Sequence, residues 1–201
     1  MARPHELALL TAFSVLVGAA PVLAQAADPA RATVDALDDG IIAMMKGGGN
    51  AASRGTAIAP VLDRAYDLSL MTRLSVGPSW TAIAPADQKA LVAAFRKMTI
   101  AQYARNFDRF SGERFAVDPK IEERGGDKLV RTTLTSPGDA PVAISYRLRQ
   151  DGGSWKIIDV FYKNAISQIA TRRSDFASVL EKQGARGLIT HLDGMAAGDR
   201  D

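Results

Sequence analysis

The chain is expected to fold as an α+β domain, a four-stranded antiparallel meander packed against several helices. Three observations carry that expectation. Apolar residues recur at helical spacing from Pro29 to about Phe110. The period then changes to alternation, punctuated by three turn signals: Gly125-Gly126-Asp127, Pro137-Gly138-Asp139 and Asp151-Gly152-Gly153. Helical spacing returns after Tyr162. Helices, then strands joined by short turns, then helices again is the order of a sheet with helices gathered on one face.

Each element has its own signal. Pro29 to Lys46 reads as a helix capped by Asp28, with Val34, Leu37, Ile41, Met44 and Met45 on one face and Gly47-Gly48-Gly49-Asn50 ending it. Thr56 to Asp67 is a second helical stretch carrying Ile58, Val61, Leu62 and Tyr66. Leu68 to Val76 is a short apolar third, broken by Gly77-Pro78 just before Trp80. Pro85 opens the longest run, to about Phe110, which bears two apolar stripes. Leu91, Phe95 and Met98 form one, and Ile100, Tyr103, Phe107 and Phe110 the other, so this helix is enclosed on two sides or bent near Thr99.

Four strands are expected at Phe115–Glu123, Lys128–Ser136, Val142–Gln150 and Ser154–Tyr162. The third alternates Val142, Ile144, Tyr146 and Leu148 inward against Ser145, Arg147 and Arg149 outward. The fourth reads as apolar on both faces, because Trp155, Ile157 and Phe161 alternate with Ile158, Val160 and Tyr162. A helix from Ala165 to Gln183 follows, then a shorter one from Ala185 to Leu192, parted by Gly184.

The first residues bear on export. Met1 to His5 is a short n-region with one Arg, and Leu7 to Ala20 is apolar but shorter than the ~20 residues a spanning helix needs. Ala24-Gln25-Ala26 fits the small-x-small pattern of signal cleavage, and the chain is polar at once afterwards (Asp28, Arg31, Asp35), unlike a retained anchor. Residues 1–26 are expected to be a cleaved signal peptide, 27–194 a single domain and 195–201 a flexible tail.

Composition excludes several functions. There is no cysteine, which removes cysteine-based zinc, iron–sulfur and redox chemistry. The net charge is +3, with basic residues scattered among acidic ones rather than clustered as on a nucleic-acid face. Beyond the signal, His191 is the one histidine, on an apolar C-terminal helix, and no Gly-x-Ser-x-Gly elbow precedes a serine. Glu122-Glu123 are adjacent strand residues, which point to opposite faces and cannot form a carboxylate dyad. Gly47-Gly48-Gly49 lacks the Lys-Ser/Thr of a phosphate-cradling loop. No catalytic residue, metal ligand set or cofactor site is expected.

What remains is apolar excess at particular places. Trp80, Tyr103, Phe107, Tyr146, Val160, Tyr162, Ile166, Ile169 and Phe176 come from elements that would face one another. Each alone reads as ordinary core. Together, a two-sided strand, a two-striped helix and an apolar helix leaving that strand point to the lining of a pocket. Arg172 and Arg173 stand beside that apolar face, where an anionic head group would find them.

The order of three stretches resembles a known family. They are "VGPSWTAIAPADQKALVAAFRKMTIAQYARNF", "YRLRQDGGSWKIIDV" and "ISQIATRRSDFASVLEKQGARGLITHL". The ordered set Trp80, Gln88, Phe95, Tyr103, Tyr146, Trp155, Asp159, Ser167, Arg173, Phe176 and Leu188 resembles the MlaC family of periplasmic lipid carriers, also called toluene-tolerance auxiliary proteins. "SGERF" and "ISQIATRRSDF" look closer to its hopanoid-associated branch, HpnM, and Asn164-Ala165-Ile166-Ser167 departs from the Gly-Val-Ser-Leu usual after the last strand. The resemblance implies a cone-like fold enclosing an apolar pocket between sheet and helices, a periplasmic location, and a phospholipid or hopanoid-type ligand. It also implies partners in an inner-membrane transporter complex and an outer-membrane lipoprotein complex. The alternative is an accessory module that docks on a transporter and carries no lipid.

Overall fold

The structure, a computed structural model, describes residues 28–198. The expected signal peptide, residues 1–26, and the last three residues of the expected tail lie outside the described residues.

α1 (Pro29–Gly47) begins where the Asp28 carboxylate accepts from the Ala30 amide at 2.9 Å, with Pro29 in the first turn, where a missing N–H costs nothing. α2 (Ala51–Ala65) starts earlier than apolar spacing indicates. Asn50 caps it, accepting from the Ser53 amide at 2.9 Å, so the stretch that ends one helix also starts the next. α3 (Leu68–Val76) is capped by Asp67, and a 3-10 turn over Gly77–Ala82 carries Trp80 towards α4 (Pro85–Asn106). α4 stops short of Phe110. Phe107 has already left helical backbone (φ −118, ψ 67), and Phe110 is exposed with the Lys46 ammonium over its ring.

The antiparallel sheet comprises β1 (Arg114–Val117), β2 (Glu122–Arg124), β3 (Asp127–Thr135), β4 (Val142–Asp151), β5 (Ser154–Tyr162) and β6 (Ile166–Ser167). Their order is β1-β3-β4-β5-β6, with β2 also on β3. The α+β class is as expected, and the strand count rises from four to six for two physical reasons. The expected strand Phe115–Glu123 is split into β1 and β2, because Pro119 has no N–H for the ladder and Asp118 turns the chain by accepting from the Lys120 amide at 2.7 Å. Ile166 and Ser167 form an edge strand against Tyr162 and Phe161 rather than opening a helix. Lys163 and Asn164 make that reversal at φ 51 and 57, and the Asn164 side-chain oxygen is bonded to the Ser145 hydroxyl at 2.6 Å.

β5 corrects the reading of a strand apolar on two faces. Its register against β4 shifts beside Arg147 and Leu148, so that Asp159 faces Arg147 while Ile157, not Ile158, faces Leu148. One inserted residue reverses side-chain parity. Trp155, Ile157, Val160 and Tyr162 therefore lie opposite Gln150, Leu148, Tyr146 and Ile144 and share the helix-facing side. The outer face carries charge, with Asp127 accepting from both Arg147 and Arg149.

α5 (Gln168–Ala197) breaks at Gly184 (φ 67, ψ −169), where the sequence places a break. It runs past residue 194, and Arg105 donates to the carbonyls of Met195 and Ala196 at 2.8 and 3.0 Å. The core is one cluster in which Leu37, Ile58, Phe95, Phe176 and Leu192 of the helices meet Val130, Tyr146, Leu148 and Ile157 of the sheet. Among the described residues no helix is long and apolar enough to cross a membrane.

Candidate functional site

Asp159 fixes where α5 starts. This buried carboxylate accepts from the Ser167 hydroxyl at 2.6 Å, the Val160 amide at 2.8 Å and the Ile169 amide at 3.1 Å. Ser167 in turn caps the helix through the Ala170 amide. These bonds pin the first turns of α5 to β5, while α4 packs alongside α5.

Between α4, α5 and the inner face of β4 and β5 remains a cavity of about 310 Å³. α4 contributes Phe95, Thr99, Gln102, Tyr103 and Asn106, one helical face at spacings of three and four. Ile144, Val160 and Tyr162 line it from the sheet, Tyr66 and Met71 from either side of the α2–α3 junction, and Gln168 and Arg172 from α5. Aromatic rings shape its wall. Tyr103 stacks on Phe107 with centroids 5.7 Å apart, and Tyr66 meets Tyr103 edge-on at 6.2 Å, the two hydroxyls sharing a hydrogen bond. Burial pushes the Tyr103 phenol up to about 12 and the Tyr66 phenol well above its ordinary value, so both stay neutral.

Arg172 is the cavity's cation. Its guanidinium donates to the Met98 sulfur and to the Gln102 side-chain oxygen, each at 2.8 Å, and stands 5.2 Å from the Phe95 ring centre. None of these partners is a carboxylate. Burial lowers its pKa, yet a guanidinium keeps its proton in proteins. Gln102, Gln168 and Arg172 also line an adjoining groove of about 390 Å³ with Asp175, Phe176 and His191, so the charge sits where two spaces meet. Chemically the arrangement can enclose hydrocarbon and neutralise one anion beside it.

Of the candidates from sequence, Tyr103, Phe107, Val160, Tyr162 and Arg172 come together at this cavity. Tyr146 is buried behind it, across from Val160, and Phe176 packs edge-on against Phe95 at 6.5 Å. Ile169 is core. Trp80 stands in the 3-10 turn, its carbonyl accepting from the Gln88 side chain at 2.8 Å. Ile166 is 50% exposed on β6 and does not line the cavity. Arg173 turns the other way, donating to the Leu74 carbonyl at 2.9 Å near the end of α3 and lying against Gly77.

Sequence alone does not single out Tyr66, Met71, Phe95, Thr99, Gln102, Asn106, Ile144 and Gln168 as lining. A signal existed for some of them. Thr99, Gln102 and Asn106 continue the helical face of Phe95 and Tyr103, and selecting apolar residues alone passes over polar ones on the same face.

No curated protein matches the chain significantly. Among solved structures, a phospholipid-binding protein from Ralstonia solanacearum, determined in complex with a phospholipid, matches with a TM-score of 0.75 at 25% sequence identity. The match covers 85% of this chain and 98% of that one. The MlaC protein family matches residues 35–194, most of the chain. By fold and by sequence, the chain belongs to the MlaC family.

Proposed function

We propose that this protein is a periplasmic lipid carrier with no chemical step, exported by residues 1–26 and shuttling phospholipid or a hopanoid-type lipid between membranes. Its partners in that role would be an inner-membrane transporter complex and an outer-membrane lipoprotein complex. The observation that carries the reading is the cavity itself, lined by Phe95, Tyr103, Phe107, Ile144 and Val160, with Arg172 beside it and no acid bonded to its guanidinium. Family membership and the phospholipid held by the Ralstonia protein support the same ligand class. Hydrocarbon in water costs roughly 0.8 kcal/mol per methylene, so a sixteen-carbon chain faces a barrier on the order of 12 kcal/mol that an apolar cavity largely removes. Arg172 would meet the phosphate, while Tyr103, Phe107, Val160 and Tyr162 would border the chains.

The test is extraction of natively purified protein followed by mass spectrometry. A stoichiometric lipid is the expected result, and its class decides between phospholipid and hopanoid. Protein that carries no lipid, and takes none from vesicles of the host's own lipids, would leave the docking-module reading in its place.

A further inference from the structure

Of the four buried side-chain oxygens without a hydrogen-bond partner among the described residues, three belong to Asp38 and Thr132. Asp38 is 4% exposed on α1 and Thr132 is 2% exposed on β3. Buried polar groups are almost always paired, with protein, water or ligand, so three buried oxygens without a protein partner mark a place where one can bind.

Their placement says where that occupant sits. Thr132 lies in the ladder directly between Val117 of β1 and Ile144 of β4. Ile144 lines the cavity, whereas Val117 lines, together with Asp38, a wider groove of about 970 Å³ between α1 and β1. Phe107 on the cavity side and Phe115 on the groove side approach to 6.3 Å. Asp38 thus lines the groove, and Thr132 stands in the sheet between a strand that borders the groove and one that borders the cavity. The charge of Asp38 is felt by Tyr66 and Tyr103 of the cavity wall and by Tyr146 behind it, adding to burial in raising all three phenols. Across the ladder, Tyr162, Ile144 and Thr132 follow one another from the half-exposed edge inward.

Other occupants fit less well. No group of three His, Cys, Asp or Glu side chains among the described residues could hold a metal ion. A plain hydrocarbon end would leave all three oxygens bare. A hydroxyl suits them, because it can donate to one oxygen of Asp38 and accept from the Thr132 hydroxyl at once.

We propose that Asp38 and Thr132 form a hydrogen-bonding subsite behind the tyrosine pair, which takes a hydroxyl group carried on the apolar part of the ligand. The proposal rests on the lipid-carrier reading and narrows its ligand to lipids hydroxylated away from the charged head. A site built to bond a hydroxyl rejects the analogue that lacks it, because its own groups are then left unpaired.

The experiment is competition against a fluorescent fatty acid on delipidated full-length mature protein, with hexadecanoate and ω-hydroxyhexadecanoate as probes. The wild type should bind the hydroxylated probe roughly tenfold tighter or better. Asp38→Leu and, independently, the near-isosteric Thr132→Val should each erase that preference while keeping hexadecanoate binding at least as strong. Equal binding of the two probes by the wild type, or a preference that survives both substitutions, overturns the subsite and leaves the carrier reading standing. Binding of neither probe also overturns the subsite, and the carrier reading is then decided by the lipid extraction alone.

Discussion

Replacing Asp38 by Asn should change how the stability of the domain depends on pH. Burial, with smaller contributions from Asp35 and Asp39, raises the Asp38 carboxyl from 3.8 to about 8. Below about pH 4 the group is protonated both folded and unfolded, and ionisation takes nothing from stability. Between about 4 and 8 the unfolded chain releases the proton while the folded one holds it. Stability then falls by about 1.4 kcal/mol per pH unit. Above about 8 the loss levels off at roughly 6 kcal/mol, a large share of the ~5–15 kcal/mol of a typical domain. The groups around the carboxyl are Asp35, Asp39, Arg31 and Lys46 of α1, Glu113 and Arg114 before and in β1, and the tyrosines Tyr66, Tyr103 and Tyr146. Urea unfolding followed by the fluorescence of Trp80 and Trp155 at several pH values measures the effect. Wild type and Asp38→Asn should coincide near pH 4 and separate by roughly 4 kcal/mol at pH 7, the variant being the more stable. Parallel curves across the whole range would refute the claim that this carboxyl is buried without a partner.

Three further outcomes follow from the geometry. Val160→Trp should fill cavity space and abolish bound lipid while moving the melting temperature by less than ~4 °C, whereas Ile166→Trp on the exposed edge strand should alter neither. A melting temperature lowered well beyond that with lipid still bound would put Val160 in packed core. Arg172→Met should reduce retention of anionic lipid about tenfold or more in vesicle pull-down, with little loss of stability because it removes a buried cation. Asp159→Ala should cost about 2–4 kcal/mol in urea unfolding, since three donors at the β5–α5 junction lose their acceptor.

Much of this fold is legible because its punctuation is local. Asp28, Gly184 and the three turn signals act through neighbouring backbone, and the structure places an element end, or at Gly184 the break in α5, at each of them. β5 shows where local reading stops. Ile157 and Ile158 are both buried, and a strand alone gives no sign that one of them is a bulge; that depends on which residue of β4 lies opposite. The cavity is harder still. A wall residue and a core residue are both apolar at the same period, so Val160 and Ile169 look alike until packing leaves space beside one of them. Asp38 is the opposite case. Its spacing from Val34, Ile41 and Met45 puts it on the buried face of α1, and an acid in that stripe is a legible anomaly.

The partners of Arg172 bear on how a carrier lets go. Had an acid been placed against the guanidinium, the pair would already be complete, and an arriving phosphate would have to displace a buried carboxylate. Breaking such a pair costs several kcal/mol. Met98, Gln102 and the Phe95 ring instead hold the side chain in place, and Asp175 acts on it through space without a hydrogen bond. The cation is therefore positioned before ligand arrives, and an anion gains charge-assisted hydrogen bonds with little rearrangement. On departure, the thioether, amide and ring are still there, so the empty state is not a bare charge in hydrocarbon. Filled and empty forms then differ modestly in free energy, which the proposed shuttling would require, because a site that gained far more from its ligand than a membrane does would never deliver it.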